Sequence, residues 1–298
     1  MKYDLTTLAI LLAVAEEKNL TRAARRRHLA VSAVSKRIKE LEDQVGAPLL
    51  ARYSRGVELT PAGQSMVFYA RQLQAVLGQM ENELADYGGG IKGHVRIHAI
   101  TSAIAQFLPR DIARFVAAYP LIRFDIEERV GSAVVQAVCD GSADLGIFAQ
   151  QTPAQGLEVF PYRRDELIAL VGRGHALARK SRVTFDEIIE HEFVGPHVDS
   201  SVHTLLTTEA ARRGRSLAFK IRISSFESMC QMVEAGLGLA LMPRALAQPH
   251  LKGTGLKALT LNEPWARRDL LMGVRSLRDA TPTVKALLDS LSGRGQAD

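Results

Sequence analysis

Cysteine is almost missing from this chain: Cys139 and Cys230 are the two it has among 298 residues. They stand far apart in apolar surroundings, which points to small buried thiols rather than to a disulfide or a metal ligand. No apolar run approaches the ~20 residues that a membrane-spanning helix needs. The opening MKYDLTTLAI reaches Glu16 and Glu17 quickly and lacks both the basic lead and the small-residue cleavage site of a secretory signal, so a cytoplasmic protein is expected. Phosphate loops, nucleophile elbows and paired metal ligands are also wanting. Gly172-Arg173-Gly174 has no third glycine at the required spacing, and Gly236-Leu237-Gly238 leads into a strand pattern, so both read as turns. His191, His197 and His203 recur at intervals of six beside Glu192 and Asp199, a spacing that fits no zinc site. The expectation is a protein with no catalytic centre, no metal and no cofactor.

What is present is enough apolar material, 47% of residues, for two or three domains. The net charge of +6, from 38 basic against 32 acidic residues, permits anionic partners, and where the excess sits decides whether it means anything. Leu5, Leu8, Leu12 and Ala15 recur at helical spacing. Thr21 is placed to cap a second, short helix through Ala23, Ala24 and His28. A third, over about residues 32–45, sets Val34, Ile38, Leu41 and Val45 on one face and Ser32, Ser35, Lys36 and Lys39 on the other. A short helix, a turn at Leu29 and Ala30, and a helix with a basic outer face fit a helix-turn-helix, and the alternative is a merely solvated face. Arg22, Arg25, Arg26 and Arg27 cluster on the helix that would cross the phosphate backbone, and residues 52–59 read as two short strands around a Ser-Arg-Gly turn, a wing that would present Arg55 to phosphate or a minor groove.

Ala23-Ala24-Arg25, Ser32-Ala33-Val34-Ser35, Ile38-Lys39-Glu40-Leu41-Glu42, Gly46-Ala47-Pro48-Leu49 and Leu59-Thr60-Pro61-Ala62-Gly63 together resemble the LysR-type transcriptional regulators. The match departs at Ala30 and Val31, where the family usually carries Ser or Thr followed by Gln, and at Leu50, where it carries Phe. Losing the hydroxyl removes a helix cap worth ~1 kcal/mol, unless Ser32 caps a shorter helix, and valine offers only apolar contact, for instance to a thymine methyl. By position, the resemblance makes Ser32, Ser35, Lys36 and Lys39 groove readers and Arg22, Arg37, Arg52 and Arg55 backbone contacts. Arg37 is equally placed to be a structural ion-pair partner.

From Pro61 the chain stays helix-compatible to about Tyr87, with Ala70, Leu73, Leu77, Met80, Leu84 and Tyr87 alternating at spacings of three and four, a coiled-coil seam. Such a rod is too long for sixty residues to cover, which favours a homodimer, and the resemblance extends this to a homotetramer with RNA polymerase as a further candidate partner. Gly88-Gly89-Gly90 ends the helix. Strand and helix patterns then alternate to the end, implying two small α/β lobes. The expected architecture is a winged helix-turn-helix over residues 1–60, a linker helix and hinge over 61–90, and a two-lobed effector domain, similar to periplasmic solute-binding proteins, over 91–298. Lobe I takes about 91–163 plus 268–298 and lobe II about 164–267, with crossings near residues 163–171 and 265–274. Thr101-Ser102, Ser200-Ser201 and Ser224-Ser225 stand at strand ends just before helices; each pair suits an N-cap, and converging helix N-termini suit an anion, a carboxylate in particular. Ser132, Phe148, His197 and Met242 complete the expected pocket, with Thr101, Ser102, Ser200 and Ser225 as its polar contacts. The function expected is sequence-specific binding of operator DNA, modulated by a small anionic effector.

Overall fold

The computed structural model describes residues 3–53, 56–86 and 93–292, and the chain divides into two compact units, Met1–Leu84 with Asp140–Ser142, and the remainder from Ala85. The first helix, α1 (Leu5–Glu17), begins where the Asp4 carboxylate accepts the amides of Thr6 and Thr7 at 2.9 and 3.1 Å. The second, α2 (Leu20–Arg26), is capped by Asn19, which accepts the Arg22 amide at 3.0 Å. Thr21, the expected cap, lies inside the helix because Asn19 is the last extended residue. His28 then turns the chain at φ +53°, a left-handed conformation that His tolerates better than most side chains, and the Leu29 amide bonds back to the Ala24 carbonyl at 2.9 Å.

The third helix, α3 (Val31–Val45), starts one residue before the expected position, at an Ala30 cap that makes no side-chain bond. Ser32 is therefore not its cap. Val34, Ile38 and Leu41 are buried as their spacing requires, in a core shared with Leu11, Val14, Ala23 and Ala24. Strands β1 (Leu50–Tyr53) and β2 (Gly56–Leu59) pair antiparallel, and the 26-residue helix α4 (Pro61–Asp86) follows. Glu42 fixes the approach to β1 by accepting the amides of Leu49 and Leu50 at 2.8 and 3.1 Å. At Gly63 a Cβ would lie 2.0 Å from the Leu49 carbonyl oxygen, so glycine is the residue that lets α4 seat against the wing. The triple glycine 88–90, expected to end α4, lies outside the described residues, as do Ser54 and Arg55.

The second unit runs β3 (Gly93–Ala99), α5 (Thr101–Gln106), α6 (Leu108–Ala118), β4 (Ile122–Glu128), α7 (Gly131–Cys139), β5 (Leu145–Ala149), β6 (Glu158–Gly172), β7 (Arg182–Val183), α8 (Phe185–Ile188) and β8 (Glu192–Gly195). It continues through α9 (Ser201–Arg212), β9 (Ala218–Arg222), α10 (Phe226–Glu234), β10 (Ala240–Pro243), α11 (Arg244–Ala247), β11 (Leu256–Leu261), β12 (Arg267–Val274) and α12 (Pro282–Leu291). In lobe I the strand order is β4-β3-β5-β12-β6, with β3 parallel to both neighbours and the helices between them acting as crossovers. The 15-residue strand β6 belongs to both lobes: Glu158–Glu166 pair with β12, and beyond that point the strand lies between β10 and β11. The parallel pair β8 and β9 joins lobe II through a bridge from Phe193 to Leu239. The chain thus passes between lobes along β6 and again between β11 and β12. Each lobe has its own core, around Ile97, Phe115, Ile147 and Leu287 in one and around Leu167, Ala169, Phe185, Phe193 and Leu241 in the other, with no described residue shared.

Candidate DNA-binding face and ligand cleft

On the outer face of α3, Ser32, Lys36 and Lys39 are exposed and Ser35 is half-buried, all on the side opposite Val34, Ile38 and Leu41. Lys36 has a loose i,i+4 contact of 3.8 Å to Glu40, which leaves its ammonium in water. Val31 and Leu29 add exposed apolar surface at the start of this helix. Arg52, on β1 opposite Val57, is exposed on the wing.

Two of the expected backbone contacts are engaged inside the unit. Arg22 pairs with Glu17 at 3.3 Å. Arg37 reaches Asp4 and Thr7, both at 3.1 Å, which ties α3 to the start of α1 and favours the structural reading of that arginine. Arg26 is likewise held by Glu16 at 2.6 Å, and the carboxylates of Glu16 and Glu17 raise its pKa, Glu16 contributing most. Ala70, expected in the seam of the linker helix, is buried in the core of its own unit, whereas Leu73, Val76 and Met80 are exposed. The side chain of Leu84, and Tyr87 altogether, lie outside the described residues.

In the second unit a cleft of about 170 Å³ opens between the lobes. Its lobe I wall is built at the ends of β3 and β4 from Ile100, Thr101, Ser102, Glu128, Arg129 and Val130. The lobe II wall is built after β8 and β9 from Pro196, His197, Ser200, Ser201, Val202, Ser224 and Phe226. Strand ends are where an α/β layer leaves room for a ligand, because the next helix starts there and its first amides are unpaired.

Of the expected pocket residues, the structure brings together Thr101, Ser102, His197 and Ser200. Ser200 caps α9, accepting the His203 amide at 3.0 Å, and Ser225 caps α10, accepting the Ser228 amide at 3.3 Å. Thr101 caps nothing: α5 begins at Thr101 itself, and the hydroxyl donates to Glu128 at 2.6 Å. Four expected wall residues are elsewhere. Ser132 is exposed on α7, and Ser225 stands between two lining residues without lining the cleft. Phe148 is fully buried in the lobe I core, because all five residues of β5 are covered on both faces. Met242 is fully buried in lobe II, its sulfur 3.7 Å from that of Cys230.

Sequence reasoning misses Glu128 and Arg129; their place at the end of a strand beside the cleft is the available signal. It also misses the pair beneath the cleft floor. Arg268 donates through Nε to Asp165 at 2.7 Å, and its second bond to that carboxylate is shorter still. The same guanidinium reaches the Ser102 hydroxyl at 3.4 Å, while its remaining terminal nitrogen is buried without a partner among the described residues. His203, behind the lobe II wall, is buried against Phe219, and burial first, then the charge of Arg222, lowers its pKa.

A basic-faced helix-turn-helix on one unit and a cleft between lobes on the other are the parts of a transcription regulator with a DNA-binding and an effector-binding domain. Residues 5–64 match the bacterial regulatory helix-turn-helix of the lysR family, and residues 88–296 match the LysR substrate binding domain. The chain belongs to the LysR family of transcriptional regulators, and it is a regulator rather than an enzyme. It is 31% identical over 300 residues to the uncharacterized HTH-type transcriptional regulator YfeR of Shigella flexneri, spanning 100% of this chain and 96% of that one. Among solved structures, full-length CbnR complexed with its target DNA aligns over 97% of this chain and 99% of its own, with a TM-score of 0.68 and 16% identity. The effector binding domain of QuiR in complex with shikimate aligns over 68% of this chain and 97% of its own, with a TM-score of 0.61 and 18% identity. At these identities the two structures show the fold.

Proposed function

We propose that the regulator reads a specific operator through α3 and that a small carboxylate, bound between the lobes, alters that reading. Ser32, Ser35, Lys36 and Lys39 occupy the exposed face that enters the major groove, and Arg52 and Arg55 contact the backbone from the wing. Arg22 joins them by exchanging Glu17 for phosphate, and Arg37 holds α3 against α1. The exposed Leu73, Val76 and Met80 support a homodimer through α4, with a tetramer as its further assembly. Residues 1–60, 61–90 and 91–298 are the DNA-binding, linker and effector parts of this scheme, acting in the cytoplasm.

The observation that carries the ligand reading is the cleft itself. Hydroxyls of Ser102, Ser200 and Ser201 meet there, α9 presents its N-terminus, and a buried guanidinium lies under Ser102. A small anion gains from each of these. Shikimate, the ligand of the QuiR domain, is itself a carboxylic acid. Binding must favour one arrangement of the lobes to matter, and a coupling of ~1–3 kcal/mol changes DNA affinity usefully. The test is the melting temperature of the full-length protein against a panel of organic carboxylates and inorganic anions, followed by footprints with and without any hit. A carboxylate that raises the melting temperature and shifts the footprint supports the proposal; a panel without a hit defeats it.

A further inference from the structure

Two acidic residues of the DNA-binding unit stand where their helix disfavours them. Glu16 and Glu17 close α1, in the last turn, where the carbonyl end of the helix dipole repels anions. Arg22 lies in the first turn of α2, where the amide end repels cations. The two placements compensate each other across the turn between the helices. One oxygen of Glu17 meets Nε of Arg22 at 3.3 Å and the other meets Arg26 at 3.3 Å, while Glu16 takes Arg26 at 2.6 Å. Arg22 also donates to the Glu17 carbonyl, one of the acceptors that the end of α1 leaves open. Arg25 and Arg27, exposed on the same helix, have no carboxylate partner among the described residues. Stability does not explain the arrangement. Side-chain exposures of 62% and 53% for Arg22 and Arg26, and of 28% and 44% for Glu17 and Glu16, leave these pairs in water, where ion pairs contribute little. The same exposures leave both guanidiniums within reach of a DNA phosphate.

We infer that Glu16 and Glu17 are internal counter-anions, which compete with DNA phosphate for Arg22 and Arg26 and so limit the affinity of the protein for the DNA backbone. A free arginine that meets a phosphate displaces a condensed counterion and keeps the whole gain, as Arg25 and Arg27 can. Arg22 and Arg26 must give up a carboxylate to do the same, and that carboxylate stays close enough to repel the phosphate. This rests on the reading of α2 as the helix that crosses the phosphate backbone and adds the residues that restrain it.

The experiment measures the affinity of the full-length protein for a random-sequence duplex, to which the backbone term alone contributes, over a range of salt concentrations. Glu16→Gln with Glu17→Gln preserves side-chain size and should melt close to the parent. It is expected to bind at least about threefold more tightly at low salt, with the slope of log affinity against log salt steeper by about one for each arginine released. Asp43→Asn with Glu58→Gln removes the same charge from exposed residues that pair with no arginine among the described residues, and sets the gain due to net charge alone. Adding Arg22→Gln and Arg26→Gln to the Glu16→Gln, Glu17→Gln protein should abolish the gain beyond that control. A gain no larger than the control's overturns the inference, as does binding weaker than the parent's, since the carboxylates would then orient the arginines rather than restrain them. If the arginine substitutions still lower affinity in that case, the backbone contact stands without the competition. Arginine substitutions that change nothing overturn both.

Discussion

Arg268 on β12 and Asp165 on β6 face each other in register and form a buried ion pair, 2.7 Å from Nε to carboxylate, at the start of β12 and close to the point where β6 passes into lobe II. Their side chains are 2% and 1% exposed, so neither charge is shared with water. The attraction is set against the desolvation of both ions, and the pair contributes little net stability compared with an apolar pair of similar volume. Losing one member is different, because the other is left buried and charged. Asp165→Ala is expected to destabilise the effector domain by about 3–5 kcal/mol, and Asp165→Leu with Arg268→Met to recover most of it. Urea unfolding of the three proteins checks this; a single variant that unfolds within about 1 kcal/mol of the parent contradicts the account.

Lys36 and Lys39 differ from Arg22, Arg26 and Arg37 in having no close carboxylate among the described residues, Lys36 having only the 3.8 Å contact to Glu40. Replacing both with Ala should weaken binding to a selected operator without changing stability. If they contact phosphate, the loss is uniform across sequences and the slope of log affinity against log salt falls by about one for each contact. If they contact bases, preference among sequences relaxes instead. Affinity equal to that of the parent at all salt concentrations would remove both residues from the interface.

His175 gives lobe II a pH dependence. Burial, with the charge of His191 behind it, lowers its pKa from 6.5, and its Nδ1 is already occupied in accepting the Leu177 amide at 3.2 Å. The unfolded chain therefore binds this proton at a higher pH than the folded one. Its contribution to stability is complete above pH 6.5 and declines as the pH falls from there toward the folded value. The melting temperature should drop between about pH 7.5 and about pH 5.5, and His175→Gln should flatten that drop. An equal drop in the variant would assign the effect to other groups.

Much of this is legible in the sequence because local chemistry decides it. The periodicity of Val34, Ile38 and Leu41 gives the core face of α3, and the alternating strands give the two lobes. Ser200 is legible as a cap, since a serine ahead of an apolar run accepts amides in any context. Phe148 and Met242 are misplaced by the same reasoning, because a strand end looks alike whether it lines a cleft or is covered on both faces, and only the packing of neighbouring elements decides. Arg268 and Asp165 lie 103 residues apart in sequence, a separation at which no spacing rule operates. Strand β11, paired with β6, is also missed, as its Leu256–Leu261 segment is short and follows a turn with glycines at 253 and 255.

Val31, 42% exposed, stands at the first position of α3 where an uncapped helix begins. Its branched apolar side chain has no donor or acceptor to offer a base edge, and the methyl of thymine is the apolar feature of the major groove. An operator obtained by selection from random DNA is expected to contain a thymine whose replacement by uracil, which deletes only that methyl, weakens the parent protein about threefold to fivefold. The same replacement should have little effect on Val31→Ala, because the contact is already gone. Binding that is indifferent to uracil at every thymine of the selected site would show that Val31 does not read the methyl, and operator preference would then rest on Ser32, Ser35, Lys36 and Lys39.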